Sequence, residues 1–352
     1  MKFGETVIEI KALDEAAMEA ARARHDSLTK PPGSLGQLEE IAVRVCGIRE
    51  EIPRGLGPGV VILCAADHGV TEEAVSAYPR EVTVQMLANF AAGGAAINVL
   101  SRHVGAKVVL VDVGVAGDID NPRILKRRVR EGTANIARGP AMSLAEAEAS
   151  IALGIDVVES EIDLGAGIIA TGEMGIGNTT ASSALIAALT GCPVPSVAGR
   201  GTGIDDRALE NKVRVIEMAL AVNRPSPGDP VGALAKVGGL EIGALAGVML
   251  GGAARRVPVL IDGFISGAAA LLASRIEPRV VGYLFPSHLS LEPGHRVVLD
   301  ELGLEPILNL GMRLGEGTGA ALAIPVIEAS LKILNEMATF EEAGVSRESE
   351  KG

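Results

Sequence analysis

Tryptophan is absent from this 352-residue chain, and it has only two tyrosines and five phenylalanines. Val, Ile, Leu and Ala must therefore fill the core, and an aromatic platform for stacking nucleic-acid bases is not to be expected. Positive charge is also short: the formal net charge is −12, the wrong sign for a phosphate-backbone partner. Three cysteines, Cys46, Cys64 and Cys192, are widely spaced and form no CxxC, which excludes a disulfide framework or zinc ribbon and fits reduced thiols in a cytoplasmic protein. His68, His288 and His295 have no HxxxH or HxH partner, so no metal site is expected, and His288 is the one expected nearest a ligand. The opening MKFGETVIEIKALDEAA is acidic and has no signal-peptide core. The longest uncharged stretch, Met174 to Gly199, carries Asn178, several Ser and Thr and two prolines, and reads as a loop, a buried helix and a strand instead of a membrane span.

Hydrophobic residues make up 48% of the chain, enough for one large α/β core plus a smaller appendage, or two domains. Helical spacing runs from Leu13 to Arg24, Pro31-Pro32-Gly33 breaks it, and a second helix is expected from Ser34 or Gly36 to Ile48. Beyond Pro58, apolar runs alternate with helical patterns. Strands are expected at Val60–Ala65, Lys107–Val113, Gly167–Ala170, Val194–Ala198, Val257–Ile261 and Val280–Phe285. These runs are continuously apolar, as in parallel strands covered on both faces. Helices are expected at Val82–Leu100, Leu144–Leu153, Thr180–Leu189, Asp206–Val222, Leu240–Ala253, Gly267–Ser274 and Ala320–Met337.

The residues just after each strand are the informative ones. Asp67-His68-Gly69, Gly114, Thr171 to Thr180, Gly199 to Gly203, Asp262-Gly263 and Ser287-His288 all fall at carboxyl ends, where open parallel sheets bind ligands. Gly175-Ile-Gly177-Asn-Thr-Thr180 runs straight into a helix and suits a phosphate, or is a cap without a ligand. It lacks the Gly-Lys-Ser/Thr of a nucleotide-hydrolysing P-loop and the spacing of a dinucleotide fingerprint. Gly199-Arg-Gly-Thr-Gly203 is a second such loop, with Lys212 within reach as a phosphate partner or as a solvated helix charge.

Asp262 follows an apolar strand, as in the pyrophosphate loop of common phosphoribosyltransferases, but the second acid is missing. Taken alone, it reads better as a turn residue ending a strand. Ser76, Tyr78 and Gln85 could hold a flat heteroaromatic ring, or form a polar helix entry. Glu316, between Gly315 and Gly317 at the start of a helix, is either that helix's cap or a general base raised in proton affinity by desolvation.

Ten segments in order carry a resemblance across nearly the whole chain: LTKPPGSLG, AADHGV, SAYPREVTVQM, GGAAINVL, GEMGIGNTTASSAL, GRGTGIDD, VLIDGFISGAAALL, SHLSLEPGH, LGEGTGAALA and MATFEEAGVS. Together they resemble the nicotinate-nucleotide–dimethylbenzimidazole phosphoribosyltransferase family, which makes the lower-ligand nucleotide of cobalamin. The resemblance implies a Rossmann-like parallel α/β domain (residues 51–324) and a small helical domain from both chain ends (residues 1–50 and 325–352). It also implies a homodimer with active sites near the subunit interface, no cofactor, and nicotinate mononucleotide and a benzimidazole as substrates. On this resemblance the base is Glu316, Glu173 is a second carboxylate near the reacting centre and Lys212 a pocket lysine. Ser76, Tyr78, Gln85 and Met174 fall where the benzimidazole binds. Gly175, Gly177, Asn178, Thr179, Gly201, Thr202 and Ser287 fall where the phosphoribosyl group sits.

The residue chemistry agrees. A pyridinium departs as a neutral ring without acid or metal assistance, so the missing acid pair is not needed. The attacking benzimidazole must lose one proton, which one carboxylate can take. The same chemistry on another acceptor base, or nucleotide binding without turnover, are the alternatives.

Overall fold

The computed structural model describes residues 3–346. Six strands, β1 (Gly59–Ala66), β2 (Lys107–Gly114), β3 (Ile124–Lys126), β4 (Ile168–Met174), β5 (Val259–Ile261) and β6 (Leu284–Pro286), form one sheet in which every neighbouring pair is parallel. The order β3-β2-β1-β4-β5-β6 reverses at β1 and β4, so a crevice opens beyond their carboxyl ends. The expected α/β fold class is thus observed.

Every residue of β1 is buried, because helices cover both faces. Alternation along the strands sorts the two sides. Gly59 and Val61 face Ile324 and Gly317 of the C-terminal helical segment. Val60, Ile169 and Val259 lie side by side in register, and Val259 packs on Gly252 of the helix Leu240–Ala254. The helix Thr318–Glu336 is long and apolar enough to cross a bilayer by length and composition, yet it packs on β1, β4 and β5.

At the chain ends, helices Glu15–Ser27 and Gln37–Arg49 pack on each other and on Thr318–Glu336. The Arg24 guanidinium donates to the Leu334 carbonyl at 3.2 Å, and Leu28 bridges to Thr339. The expected boundary at residues 324/325 falls inside the continuous helix Thr318–Glu336.

Several elements differ from expectation. Val194–Ala198 is not a strand; Val194–Val197 is a single helical turn entered from Pro193 with Pro195 inside it. Prolines cannot donate to a central ladder, so the apolar composition misleads there. The expected helix Val82–Leu100 is two helices, Val82–Ala92 and Ala96–Val104, divided where Gly93 takes φ +83° and caps the first. Val280–Phe285 is mostly a 3₁₀ turn, Pro278–Tyr283, and only Leu284–Pro286 is strand. β4 runs four residues past its expected end, through Met174, and carries Glu173 into the crevice. The short edge strand β3 and the helices Pro230–Val237 and Pro293–Leu302 have no counterpart among the expected elements.

Helices Leu144–Asp163 and Leu240–Ala254 touch through glycine: a Cβ on Gly154 would overlap the Ala244 carbonyl oxygen. Alanine gains about 1 kcal/mol over glycine in a helix. Overpacking costs about 1–3 kcal/mol, and here the obstacle is backbone that cannot rotate away. Gly154→Ala is therefore expected to lower the denaturant midpoint. A raised midpoint would contradict this close crossing.

Candidate active site

A cavity of about 700 Å³ opens at the carboxyl end of the sheet. It is built from the loop after β1, the end of β4 with its glycine turn, the loop 199–203, the first turn after β5, and residues 290–292 and 313–316. Eleven of the expected residues line it: Ser76, Tyr78, Glu173, Met174, Gly175, Gly177, Asn178, Thr179, Gly201, Thr202 and Glu316. Three do not. Lys212 lies fully buried behind the wall, Ser287 is buried with its hydroxyl donating to the Asp262 carbonyl at 3.2 Å, and Gln85 is exposed. Val82 and Met86, one helical turn apart, form the cavity side of that helix instead.

The loops are tied to one another. The Ser76 hydroxyl is 3.2 Å from the Thr202 hydroxyl, which also accepts from the Ala77 N–H at 3.1 Å. The Lys212 ammonium donates to Thr179 Oγ1 at 2.8 Å and to the Gly199 carbonyl at 2.9 Å, joining both glycine loops from behind. Burial pushes this lysine down to about 8, while the Glu292 charge raises it. Glu292 accepts the Gly201 N–H at 2.9 Å, and the Arg313 guanidinium donates to the Gly201 carbonyl at 3.0 Å.

Gly177, at φ +95°, is the N-cap of the helix Asn178–Thr190 and has no side chain to cap it; the Ile176 N–H is taken by Thr83 Oγ1 at 3.1 Å and the Asn178 N–H by the Gly175 carbonyl at 3.1 Å. A Cβ on Gly175 would strike the Ala66 carbonyl. The lining also includes the apolar side chains Val82, Met86, Met174, Phe264, Ile265 and Leu314. Polar glycine loops and apolar side chains thus share one cavity.

Glu316 belongs to the same lining, with its backbone in the left-handed region (φ +64°), which costs a non-glycine residue on the order of 1–2 kcal/mol. Its carbonyl packs against β4, where a Cβ on Gly172 would come within 2.7 Å of it. Glu316 does not cap the helix that it precedes. Asp262, at the end of β5, takes those donors, accepting the N–H groups of Gly317, Gly319 and Ala320 at 3.1, 2.8 and 3.0 Å. The Glu316 carboxylate instead faces the Ile97 N–H, and its Oε2 has no hydrogen-bond partner among the described residues. Burial pushes Glu316 up to about 7; the Ile97 N–H opposes this and the Asp262 charge adds to it.

Glu173, with the Asn178 amide donating to it, is pushed up to about 8 by burial and by the charges of Asp262 and Glu241. Burial thus favours its protonated form, and the Asn178 amide opposes this.

None of His68, His288 and His295 lines the cavity. His68 Nε2 pairs with Glu241 at 2.8 Å beneath the 175–177 turn, and His288 is buried against Gly319. His295 accepts the Ser290 N–H at 2.9 Å and is driven down to about 3 by burial. Among the described residues no group of three or more His, Cys, Asp or Glu is arranged to hold a metal. Sequence reasoning left Arg313 and Glu292 without roles, although both lie inside the segments LGEGTG and SHLSLEPGH or directly beside them.

The Glu173 proton has a consequence for stability. The unfolded chain releases it near the ordinary value of 4.5, the folded chain only near 8, so stability is lost as pH rises between the two. Glu173→Gln, which mimics the protonated acid, is expected to melt several degrees above the parent at about pH 9 and close to it at about pH 4.5. Parallel melting curves across that range would contradict the burial of a protonated Glu173.

The chain matches the family model described as phosphoribosyltransferase over residues 10–345. It is 56% identical, over 348 residues covering 98% of each chain, to nicotinate-nucleotide–dimethylbenzimidazole phosphoribosyltransferase of Chloroflexus aggregans. The enzyme of that name from Geobacter sulfurreducens is also 56% identical, with 97% of each covered. A crystal structure of the Thermus thermophilus enzyme superposes with a TM-score of 0.91 at 48% identity, covering 96% of this chain and 100% of that one. Similarity of this depth over the full fold establishes that the chain belongs to the nicotinate-nucleotide–dimethylbenzimidazole phosphoribosyltransferase family.

Proposed function

We propose that this protein transfers the 5-phosphoribosyl group of nicotinate mononucleotide to 5,6-dimethylbenzimidazole, releasing nicotinate and α-ribazole 5′-phosphate, with Glu316 as the general base. The observation that carries this reading is the position of Glu316. A carboxylate pushed up to about 7 lines the same cavity as two glycine loops and a set of apolar side chains.

The phosphate is held at the glycine turn 175–177, where the helix Asn178–Thr190 begins, and by Thr179, with Lys212 supplying charge from behind and Arg313 from the rim. The benzimidazole lies against Met86, Met174 and Phe264, with Ser76 and Tyr78 at its edge. Its unprotonated nitrogen attacks C1′ from the face opposite nicotinate. The C1′–N bond breaks, its electron pair neutralises the pyridinium, and the proton on the second benzimidazole nitrogen passes to Glu316. The β-nucleotide becomes an α-ribotide. Glu173, held as the neutral acid, adds no second negative charge beside the leaving group and can donate a hydrogen bond to the ribose. No substrate contact is proposed for Gln85 or Ser287, which lie outside the lining.

Leu291, Leu310, Leu314 and Tyr78 are more than half exposed; Leu314 and Tyr78 line the cavity and Leu291 lies between the lining residues Ser290 and Glu292. We assign this apolar surface to contact with a second copy of the chain, making a homodimer. The three free cysteines, two of them buried, accord with a cytoplasmic setting.

Chromatography of the protein incubated with nicotinate mononucleotide and 5,6-dimethylbenzimidazole tests the reaction. Nicotinate and α-ribazole phosphate are expected in equal amounts. Glu316→Gln is expected to retain nucleotide binding and lose about 10²–10⁴-fold in turnover. Near-parental turnover in that variant, or nicotinate that never leaves the nucleotide, would refute the assignment.

A further inference from the structure

The glycine that opens the helix Thr318–Glu336 has no side chain with which to cap it. Its cap comes from Asp262, 55 residues earlier in the chain. Asp262 is 1% exposed, and both carboxylate oxygens are used: Oδ2 accepts from Gly317, Oδ1 from Gly319 and Ala320. Its backbone is fixed in turn, since its N–H donates to Thr171 Oγ1 at 3.3 Å and its carbonyl accepts the Ser287 hydroxyl. Gly315, Glu316 and Gly317 all have positive φ; the Thr318 N–H and hydroxyl close this turn locally on the Gly315 carbonyl at 3.1 and 2.8 Å, and Asp262 ties it to the sheet.

We propose that Asp262 is the positioning residue for Glu316. It locks the first turn of the helix to the ends of β4 and β5, and so holds the left-handed turn that presents the Glu316 carboxylate to the cavity. By occupying the first-turn N–H groups it also prevents Glu316 from folding back to cap its own helix. This inference rests on the reading of Glu316 as the base. Asp262 does not line the cavity and touches no reacting atom.

A double-mutant cycle tests it. Asp262→Asn keeps one acceptor oxygen but sets an NH₂ against the Gly317 N–H. Its kcat, counted per nucleotide-binding site, is expected to fall about 10²-fold through misplacement of the base, while KM for nicotinate mononucleotide stays nearly constant. In a Glu316→Gln background the same change should cost nothing further. A helix cap and no more would lower Tm and leave kcat per site intact, and that result overturns the proposal, as does an additive loss in the double variant. If Glu316→Gln alone turns over normally, the base assignment falls. If Glu316→Gln is inactive and Asp262→Asn has parental kcat, only the positioning role falls.

Should Asp262→Asn fail to fold, hydrogen exchange in the unaltered protein decides. Slow exchange in a peptide spanning residues 315–321 supports the lock, and exchange at the unprotected rate removes it.

Discussion

Burying carboxylates is the constraint on which this site depends. Glu173, Glu241, Asp262 and Glu316 are each no more than 6% exposed and interact with one another at the carboxyl end of the sheet. In such surroundings negative charges cannot all be carried at once, and the charge settles where donors are best arranged. Asp262, although burial pushes it up, has three backbone N–H groups and the neighbouring His288 to hold its charge. Glu241 has His68 at 2.8 Å. Glu173 has one side-chain amide and Glu316 one backbone N–H, so these two keep their protons to about 8 and about 7. The group at the reacting position is thereby left with a proton affinity matched to neutral pH, which is where a general base works best.

The fold supplies the crowding that makes this possible. Parallel strands buried on both faces send their loops to one edge, and glycine lets those loops approach the sheet more closely than any side chain would allow. Gly172 admits the Glu316 carbonyl onto β4, and Gly175 admits the turn of the expected phosphate end onto the Ala66 carbonyl. This crowding leaves Glu316 only 6% exposed.

Much of this was legible in the chain. The central strands β1, β2 and β4 announce themselves as unbroken apolar runs, and the glycine and polar clusters after them mark the binding edge. Glu316 stands out because glycine flanks it on both sides. What could not be read depends on contacts far apart in sequence. Whether Glu316 caps a helix or faces a ligand turns on Asp262, whose bond to the neighbouring Gly317 spans 55 residues. Arg313 and Glu292 gain their places by bonds to Gly201 that span 112 and 91 residues. Gln85, grouped with Ser76 and Tyr78 by proximity in sequence, is exposed, and the cavity lining takes Val82 and Met86 from that helix. Val194–Ala198 has the composition of a strand, but Pro193 and Pro195 deny it a ladder.

The pH dependence of a single turnover tests the central claim most directly, since it reads the proton on the base without product release. With both substrates saturating, the rate is expected to rise with pH through a midpoint at about 7, as burial-raised Glu316 becomes ionised. The same midpoint should be missing in Glu316→Gln. A rate that is flat from about pH 5 to about pH 9 would contradict the account, because no buried carboxylate would then be taking the proton.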